Sequence, residues 1–322
     1  MKHVAAVALC ALMTSAAGLA HAQEYPDRTV TIIVPYAAGG IADIAARTLG
    51  EALSEKWDQE VIVDNRTGGA GFVAATAVAN ADPDGYTLFV SDMGVNVINP
   101  YLFEDVPYDP AEDFRPITMI SDTPLVLVAN SETPFDTAAE YVEYAKTNPG
   151  ELSFGSAGIG SLNHIVPEWI NAEMGLDTAH IPYRGGAPAA TAIASGEAEV
   201  GVLALSSVGP FVDSGELKIL GLAREERVES HPDIPTLIES GIPNVAAGQW
   251  AALFAPAEVP DEIVEKIAAD SLEFLNSEEA RETFGERGAI VVPMESDELG
   301  AMLDNLREQF STIIVDANIR AN

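Results

Sequence analysis

Apolar and polar positions along this chain alternate between short unbroken apolar runs and longer stripes at helical spacing. The run from Arg28 to Pro35 predicts a strand. Ile41 to Trp57 predicts an amphipathic helix, because Ile44, Ala45, Leu49, Ala52, Leu53 and Trp57 fall on one face. Val61-Ile62-Val63 predicts a second strand, closed by Asp64-Asn65 and a glycine-rich turn. A small-residue helix from Phe72 to Ala79 follows, and the turn Asp82-Pro83-Asp84-Gly85 introduces a strand over Thr87 to Val90. Further buried strands are predicted at Leu125 to Ala129, Leu152 to Gly155, Val200 to Ala204, Leu217 to Ala223 and Ala252 to Ala255. Helical stretches lie between them, at Thr137 to Lys146, Asn163 to Met174 and Ala187 to Ser195. Two more apolar stripes close the chain: one through Ile263, Ile267, Leu272 and Leu275, the other through Leu299, Met302, Leu303, Leu306 and Phe310.

Strands alternating with helices predict an α/β fold with mostly parallel sheets. At 322 residues, a prior of roughly 150 residues per domain suggests about two domains. Crossings between them are expected at Asp122-Thr123-Pro124 and near Trp250, where an apolar strand restarts after a Pro- and Gly-rich loop. Residues 23–123 with 250–322 would then form a discontinuous lobe 1, and 124–249 would form lobe 2.

Charge narrows the function classes. Lys plus Arg number 16 against 50 Asp plus Glu, a formal net charge of −34, so no clustered basic face is available for nucleic acid or a polybasic membrane surface. Apolar content of 48% and the periodic stripes separate the chain from disordered acidic sequences. The acids read as a solvated outer shell, which suits saline surroundings. Such a shell repels anions at long range. Any attraction for an anionic ligand must therefore be local, with salt screening the rest within about 8–10 Å.

The first 22 residues have the form of a secretory leader: Lys2, an apolar run from Val4 to Leu19, then Ala20-His21-Ala22. Cleavage is expected after Ala22, with the mature chain in the periplasm. Cys10, the single cysteine, lies inside that leader, so no disulfide and no thiolate metal ligand is expected.

Two loops carry candidate chemistry. Pro35 to Asp43, with Gly39-Gly40 at its centre, follows a strand and opens a helix, which is the arrangement that leaves backbone N–H groups free for an anion. Asp43 either caps that helix or holds an ordered water. Gly155 to His164 repeats the arrangement, with Ser156, Gly158, Gly160 and Ser161 supplying small donors. It contains G-x-G-x-x, but Asn163 stands where a dinucleotide fingerprint needs its third glycine. His164 is either a ligand contact or a helix residue bonded to the backbone. Arg47 and Arg184 are either carboxylate clamps or members of ion pairs. Catalysis has little support: there is no G-x-S-x-G elbow and no metal-type histidine spacing, and a hydrolase would need Ser156 or Ser161 to meet His180 and an acid in space.

At these loops the chain resembles the Bug-type periplasmic receptors of tripartite tricarboxylate transporters. The resemblance runs through Tyr25-Pro26, the stretch from Ile33 to Arg47, Val63 to Arg66, Pro83 to Leu88, Asn99-Pro100 and Phe114 to Ile117. It continues through Gly155 to His164, Ile181 to Gly185, Pro232 to Thr236, Glu239 to Gly241 and Ala255-Pro256. It implies a two-lobed type II periplasmic binding protein that closes on a small organic carboxylate, with no cofactor, no metal and no enzymatic activity, acting as a monomer beside integral membrane permease subunits. It also implies that Tyr36, Ala38, Gly39, Gly40 and Asp43 grip the ligand from lobe 1, joined by Ser91. From lobe 2 come Gly155, Ser156, Ala157, Gly158, Ser161 and His164, with Arg184 and Ala204. Main-chain groups and ordered waters would do most of the gripping, and Tyr36 would lie against the ligand. Two departures bear on ligand identity. Thr67 to Gly71 replaces a P-G-A-G-G pattern, and Val202 to Ser207 lacks the Met-Phe pair usual there. The alternatives from other classes are a sensor that presents its closed form to a signalling kinase, and a serine hydrolase.

Overall fold

A computed structural model describes residues 25–228, 231–316 and 319–320. The expected leader, its cleavage after Ala22 and Cys10 lie outside the described residues. Three strands open the fold in parallel: β1 (Val30–Val34), β2 (Val61–Asn65) and β3 (Thr87–Ser91), with β1 in the middle. Helix α1 (Ile41–Trp57) joins β1 to β2, and α2 (Phe72–Ala79), entered through a 3₁₀ turn at Gly69–Gly71, joins β2 to β3. A π-helical turn (Gly94–Ile98) and the short α3 (Asn99–Leu102) lead into the long β4 (Phe114–Asn130).

Beyond β4 come α4 (Ala138–Thr147), β5 (Ser153–Ser156), α5 (Leu162–Met174), β6 (Ala179–Pro182) and α6 (Gly186–Ala194). They are followed by β7 (Val200–Ala204), α7 (Leu205–Asp213) and β8 (Leu217–Leu222). The chain returns on β9 (Gly248–Pro256) and finishes with α8 (Asp261–Leu275), α9 (Glu278–Gly285), β10 (Ile290–Val291) and α10 (Ser296–Asp316). The strand order is β2-β1-β3-β9-β4-β7-β5-β6, with β8 and β10 also on β4. This is the α/β, two-lobed type II architecture, with three parallel strands at each outer end.

The centre of the sheet departs from the parallel expectation. Every pairing made by β4 is antiparallel, with β9, β10, β7 and β8, and β3 meets β9 antiparallel as well. A strand that goes out and one that comes back must run in opposite directions. The first expected crossing falls inside a strand. β4 is continuous through Asp122-Thr123-Pro124 and changes partners inside its length: Phe114 to Pro124 lie against β9, and Leu125 to Ala129 against β7. Pro124 has no N–H to give a ladder, so the exchange of partners falls where a hydrogen bond is already missing. The second expected crossing, near Trp250, likewise falls in a strand, β9, which begins at Gly248.

Burial on both faces explains why the strands read as unbroken apolar runs. Val30, Ile32, Val34, Leu88, Val90, Leu253 and Ala255 enter one core with Leu49 and Leu53 of α1 and Ile267 of α8. Ile33, Phe89, Phe254 and Met119 point the other way, into a core that continues through Leu127 and Phe154 to Trp169 of α5 and Phe310 of α10. Trp169 and Phe310 meet edge to face at 5.7 Å. Among the described residues no helix is long and apolar enough to cross a membrane.

Candidate functional site

Five helices of eight residues or more begin just after a parallel strand: α1, α2, α5, α6 and α7. None receives a side-chain hydrogen bond at its N-cap. Four of the five have no acid in the first turn, in a chain with 50 carboxylates. The helices that start elsewhere are built the opposite way. α4 opens with a capping box of Thr137 and Glu140, α9 is capped by Ser277, and α8 and α10 carry Asp261, Glu262, Asp297 and Glu298 in their first turns. At four of the five starts the unpaired N–H groups and the positive dipole ends are thus left without internal anions at the carboxyl ends of the strands, where open α/β sheets bind ligands.

In the first loop, Asp43 is the single first-turn acid, and it is turned inward. Its Oδ2 accepts from Gly39 N at 2.8 Å and Arg47 Nε at 3.1 Å, and its Oδ1 accepts from Asn65 Nδ2 at 2.9 Å. Asn65 Nδ2 also donates to Tyr36 O at 2.9 Å. Burial alone would raise the Asp43 carboxyl, but hydrogen bonds from Arg47, Gly39 and Asn65 outweigh it and hold the group below its ordinary range. Asp43 therefore shapes the loop, and Arg47 serves as its ion-pair partner. Ala38, Gly39 and Gly40 are exposed, and Gly40 is the N-cap of α1 with φ −80.

A cavity of about 230 Å³ opens beside this helix start, lined by Tyr36, Gly40, Ile41, Ala42, Asp92, Gln249 and Trp250. It is smaller than the 300–1,000 Å³ typical of drug-sized ligands and suits a smaller molecule. Of the residues expected from sequence, only Tyr36 and Gly40 line it. Tyr36 Oη donates to Asp92 Oδ1 at 2.8 Å. Ser91, one residue earlier, is fully buried at the end of β3, and its hydroxyl has no partner among the described residues.

The second loop is a self-bonded turn between β5 and α5. Ser156 Oγ accepts from Gly158 N at 3.1 Å, Ser161 Oγ donates to Gly158 O at 2.7 Å, and Gly160 N donates to His164 Nδ1 at 3.1 Å. Ser156, Ser161 and His164 thus hold the loop's shape. The N–H groups of Ala157, Ile159, Leu162 and Asn163 are not consumed inside it. Gly155 is buried, and Gly158 and Gly160 have φ of +127 and +77, conformations that favour glycine. A Cβ at Gly160 would overlap the Leu102 side chain, so this loop rests against α3. Ala204 is the buried N-cap of α7, and Arg184, exposed between β6 and α6, forms no salt bridge among the described residues.

A family model described as tripartite tricarboxylate transporter family receptor matches residues 45–319. The chain belongs to that receptor family. It is 36% identical over 267 residues to a UPF0065 protein of Bordetella pertussis, covering 83% of this chain and 81% of that one. Among solved structures it is similar to R. palustris Rpa4515 with adipate, at a TM-score of 0.78 and 29% identity over 92% of this chain and 100% of that one. It is similar also to MatC (Rpa3494) from Rhodopseudomonas palustris with bound malate, at a TM-score of 0.74 and 29% identity over 90% of this chain and 100% of that one.

In this receptor the contact a serine hydrolase would need is half present. Ser156 Oγ lies 2.6 Å from His180 Nε2, but Ser156 is fully buried and no carboxylate pairs with His180 among the described residues. His180 is instead the middle of a stack: its ring lies 3.8 Å from that of His164 and 4.9 Å from that of Phe154. Burial, helped by the neighbouring His180, lowers the His164 pKa to about 4. Burial lowers that of His180 too. A histidine whose folded pKa is depressed contributes no pH dependence above about 6.5, where both states are neutral. Stability is lost as pH falls towards the folded value, because the unfolded chain takes up the proton first. The His164 shift alone is expected to cost about 2 kcal/mol by pH 5. Urea titrations at pH 7 and pH 5 check this, and His164→Gln should flatten the difference.

Sequence reasoning missed Asp92, Gln249 and Trp250. Asp92 lies two residues beyond the strand predicted over Thr87 to Val90, and that position is the one signal that pointed to it. Gln249 and Trp250 come from β9, 157 or more residues away in the chain, and reach the cavity only through the β3–β9 pairing.

Proposed function

We propose that this chain is a periplasmic solute-binding receptor that captures a small organic carboxylate between its lobes and delivers it to the integral membrane permease subunits of a tripartite tricarboxylate-type transporter. The observation that carries the reading is the contrast among helix starts: those after the parallel strands are left uncapped and nearly free of acid, whereas the other helices of eight residues or more are capped or acidic. An anion at such a start gains up to about 2 kcal/mol in a partly buried site. A micromolar complex needs about 8 kcal/mol, within reach of a few such contacts in a closed cleft. The relatives whose structures hold adipate and malate support a carboxylate as the ligand class.

In this reading residues 23–123 and 250–322 form one lobe and 124–249 the other, in keeping with the change of β4 partners at Pro124 and Leu125. The ligand's carboxylate is held by N–H groups at the start of α1 and in the loop before α5, with Tyr36 alongside. The protein works as a monomer in the periplasm after removal of residues 1–22. A thermal-shift screen of mono-, di- and tricarboxylic acids tests the reading. A true ligand at a hundred times its dissociation constant adds about 2.7 kcal/mol of stability. If no carboxylic acid raises the midpoint while a neutral sugar or a cation does, the reading is wrong.

A further inference from the structure

The cavity beside α1 has two chemically opposite walls. On one side are Gly40, Ile41 and Ala42 at the uncapped helix start, where the Gly40 N–H is spent on Ala37 O at 3.4 Å and those of Ile41 and Ala42 form a wall of donors. Opposite in character is the carboxylate of Asp92, in the same small cavity. No lysine, arginine or histidine pairs with Asp92 among the described residues, and its Oδ1 is met by neutral donors, Tyr36 Oη at 2.8 Å and Val95 N at 3.4 Å. Burial pushes the Asp92 carboxyl above its ordinary range, and its hydrogen bonds offset this only in part. Gly94 keeps the spot clear, since a Cβ there would stand 3.1 Å from Tyr36 Oη and 3.2 Å from Asp92 Oδ1. Trp250 lines the same cavity, and its buried indole N–H has no acceptor among the described residues.

A plain carboxylate satisfies the donor wall and leaves Asp92 without a cation. A second carboxylate placed there would be repelled. An ammonium group on the carbon next to the ligand's carboxylate satisfies both walls at once, because the two charges then sit within one small cavity. We propose that Asp92 is a specificity-determining residue that makes this receptor prefer amino acids, carboxylates bearing an α-ammonium group, over the same acids without it. The inference rests on the carboxylate-receptor reading above and adds the second recognition element to it.

Calorimetry with matched pairs tests it: succinate and aspartate, glutarate and glutamate, propionate and alanine. In each pair the carbon skeleton is shared and only the α-ammonium differs. The amino member of at least one pair should bind about tenfold tighter or more than its plain partner. Asp92→Asn keeps an oxygen for Tyr36 Oη and removes the charge. It should erase that preference, weakening the amino member about tenfold and relieving the repulsion felt by a diacid's second carboxylate. Circular dichroism checks that the variant folds, and the wild-type pairs decide the matter should it not. Plain acids that bind as tightly as their amino partners overturn the inference, as does a preference that survives Asp92→Asn. If none of the six binds but another carboxylic acid does, this inference fails and the receptor reading stands. If no carboxylic acid binds at all, both fail.

Discussion

Replacing Gly40 with valine is expected to abolish detectable carboxylate binding without unfolding the protein. Gly40 has an ordinary extended backbone, φ −80 and ψ 169, and a Cβ there would meet nothing nearer than Ala37 O at 3.5 Å. The turn therefore tolerates a side chain, unlike neighbouring Gly39 at φ +88. What a branched side chain would fill is the space beside the α1 N–H groups, on the wall of the cavity. The stability change should be about 1 kcal/mol, since Gly40 is the α1 N-cap and valine is a poorer residue there. Arg184→Ala is the companion variant. Arg184 is exposed and forms no ion pair among the described residues, so its removal should leave a measurable affinity, weakened by about 1 kcal/mol at most. Calorimetry on both folded variants separates a main-chain grip from an arginine clamp. The opposite ranking would sink the account of this site.

The second large effect is expected at Asp43. Asp43→Ala removes the carboxylate that Gly39 N, Asn65 Nδ2 and Arg47 all address, at 2.8 to 3.1 Å. Arg47 is half exposed and can rehydrate, so its share is small. The bonds to Gly39 and Asn65 carry most of the loss, about 2–3 kcal/mol in urea unfolding. Because its folded pKa is depressed, part of this stability is present above the ordinary carboxyl range and is lost as pH falls below it. The variant should thus be less stable than the wild type at pH 7, by a margin that narrows below that range. Binding should weaken as well, since the loop that presents the α1 start is no longer pinned. Equal stability at pH 7 would show that the loop holds itself.

Most of the elements were legible because their causes are local. The apolar runs of β1 and β3, the stripe of α1 and the Thr137–Glu140 box all act within a few residues. The two glycine-rich loops were legible for the same reason: glycines between a strand and a helix mark a backbone that must turn sharply and leave N–H groups open. The division of labour inside those loops was not. For Asp43 and His164 the sequence left a contact and a structural bond both open, and Ser156 and Ser161 read as small donors; all four side chains are engaged in shaping the loops. A polar side chain beside an anion site and one beneath it look alike until the partners are placed.

Composition and short-range periodicity were enough to settle the class of the fold, the acidic shell, the absence of a basic face and the positions of the two loops, since none of these depends on distant contacts. Three things came from tertiary pairing. β4 runs unbroken through Asp122-Thr123-Pro124 and trades β9 for β7 after Pro124, because an extended chain can pair with different partners along its length. Ser156 meets His180, 24 residues on, only through the parallel pairing of β5 with β6. Asp92, Gln249 and Trp250 join Tyr36 around one cavity only because β9 returns beside β3, from a part of the chain whose pairing no local pattern encodes.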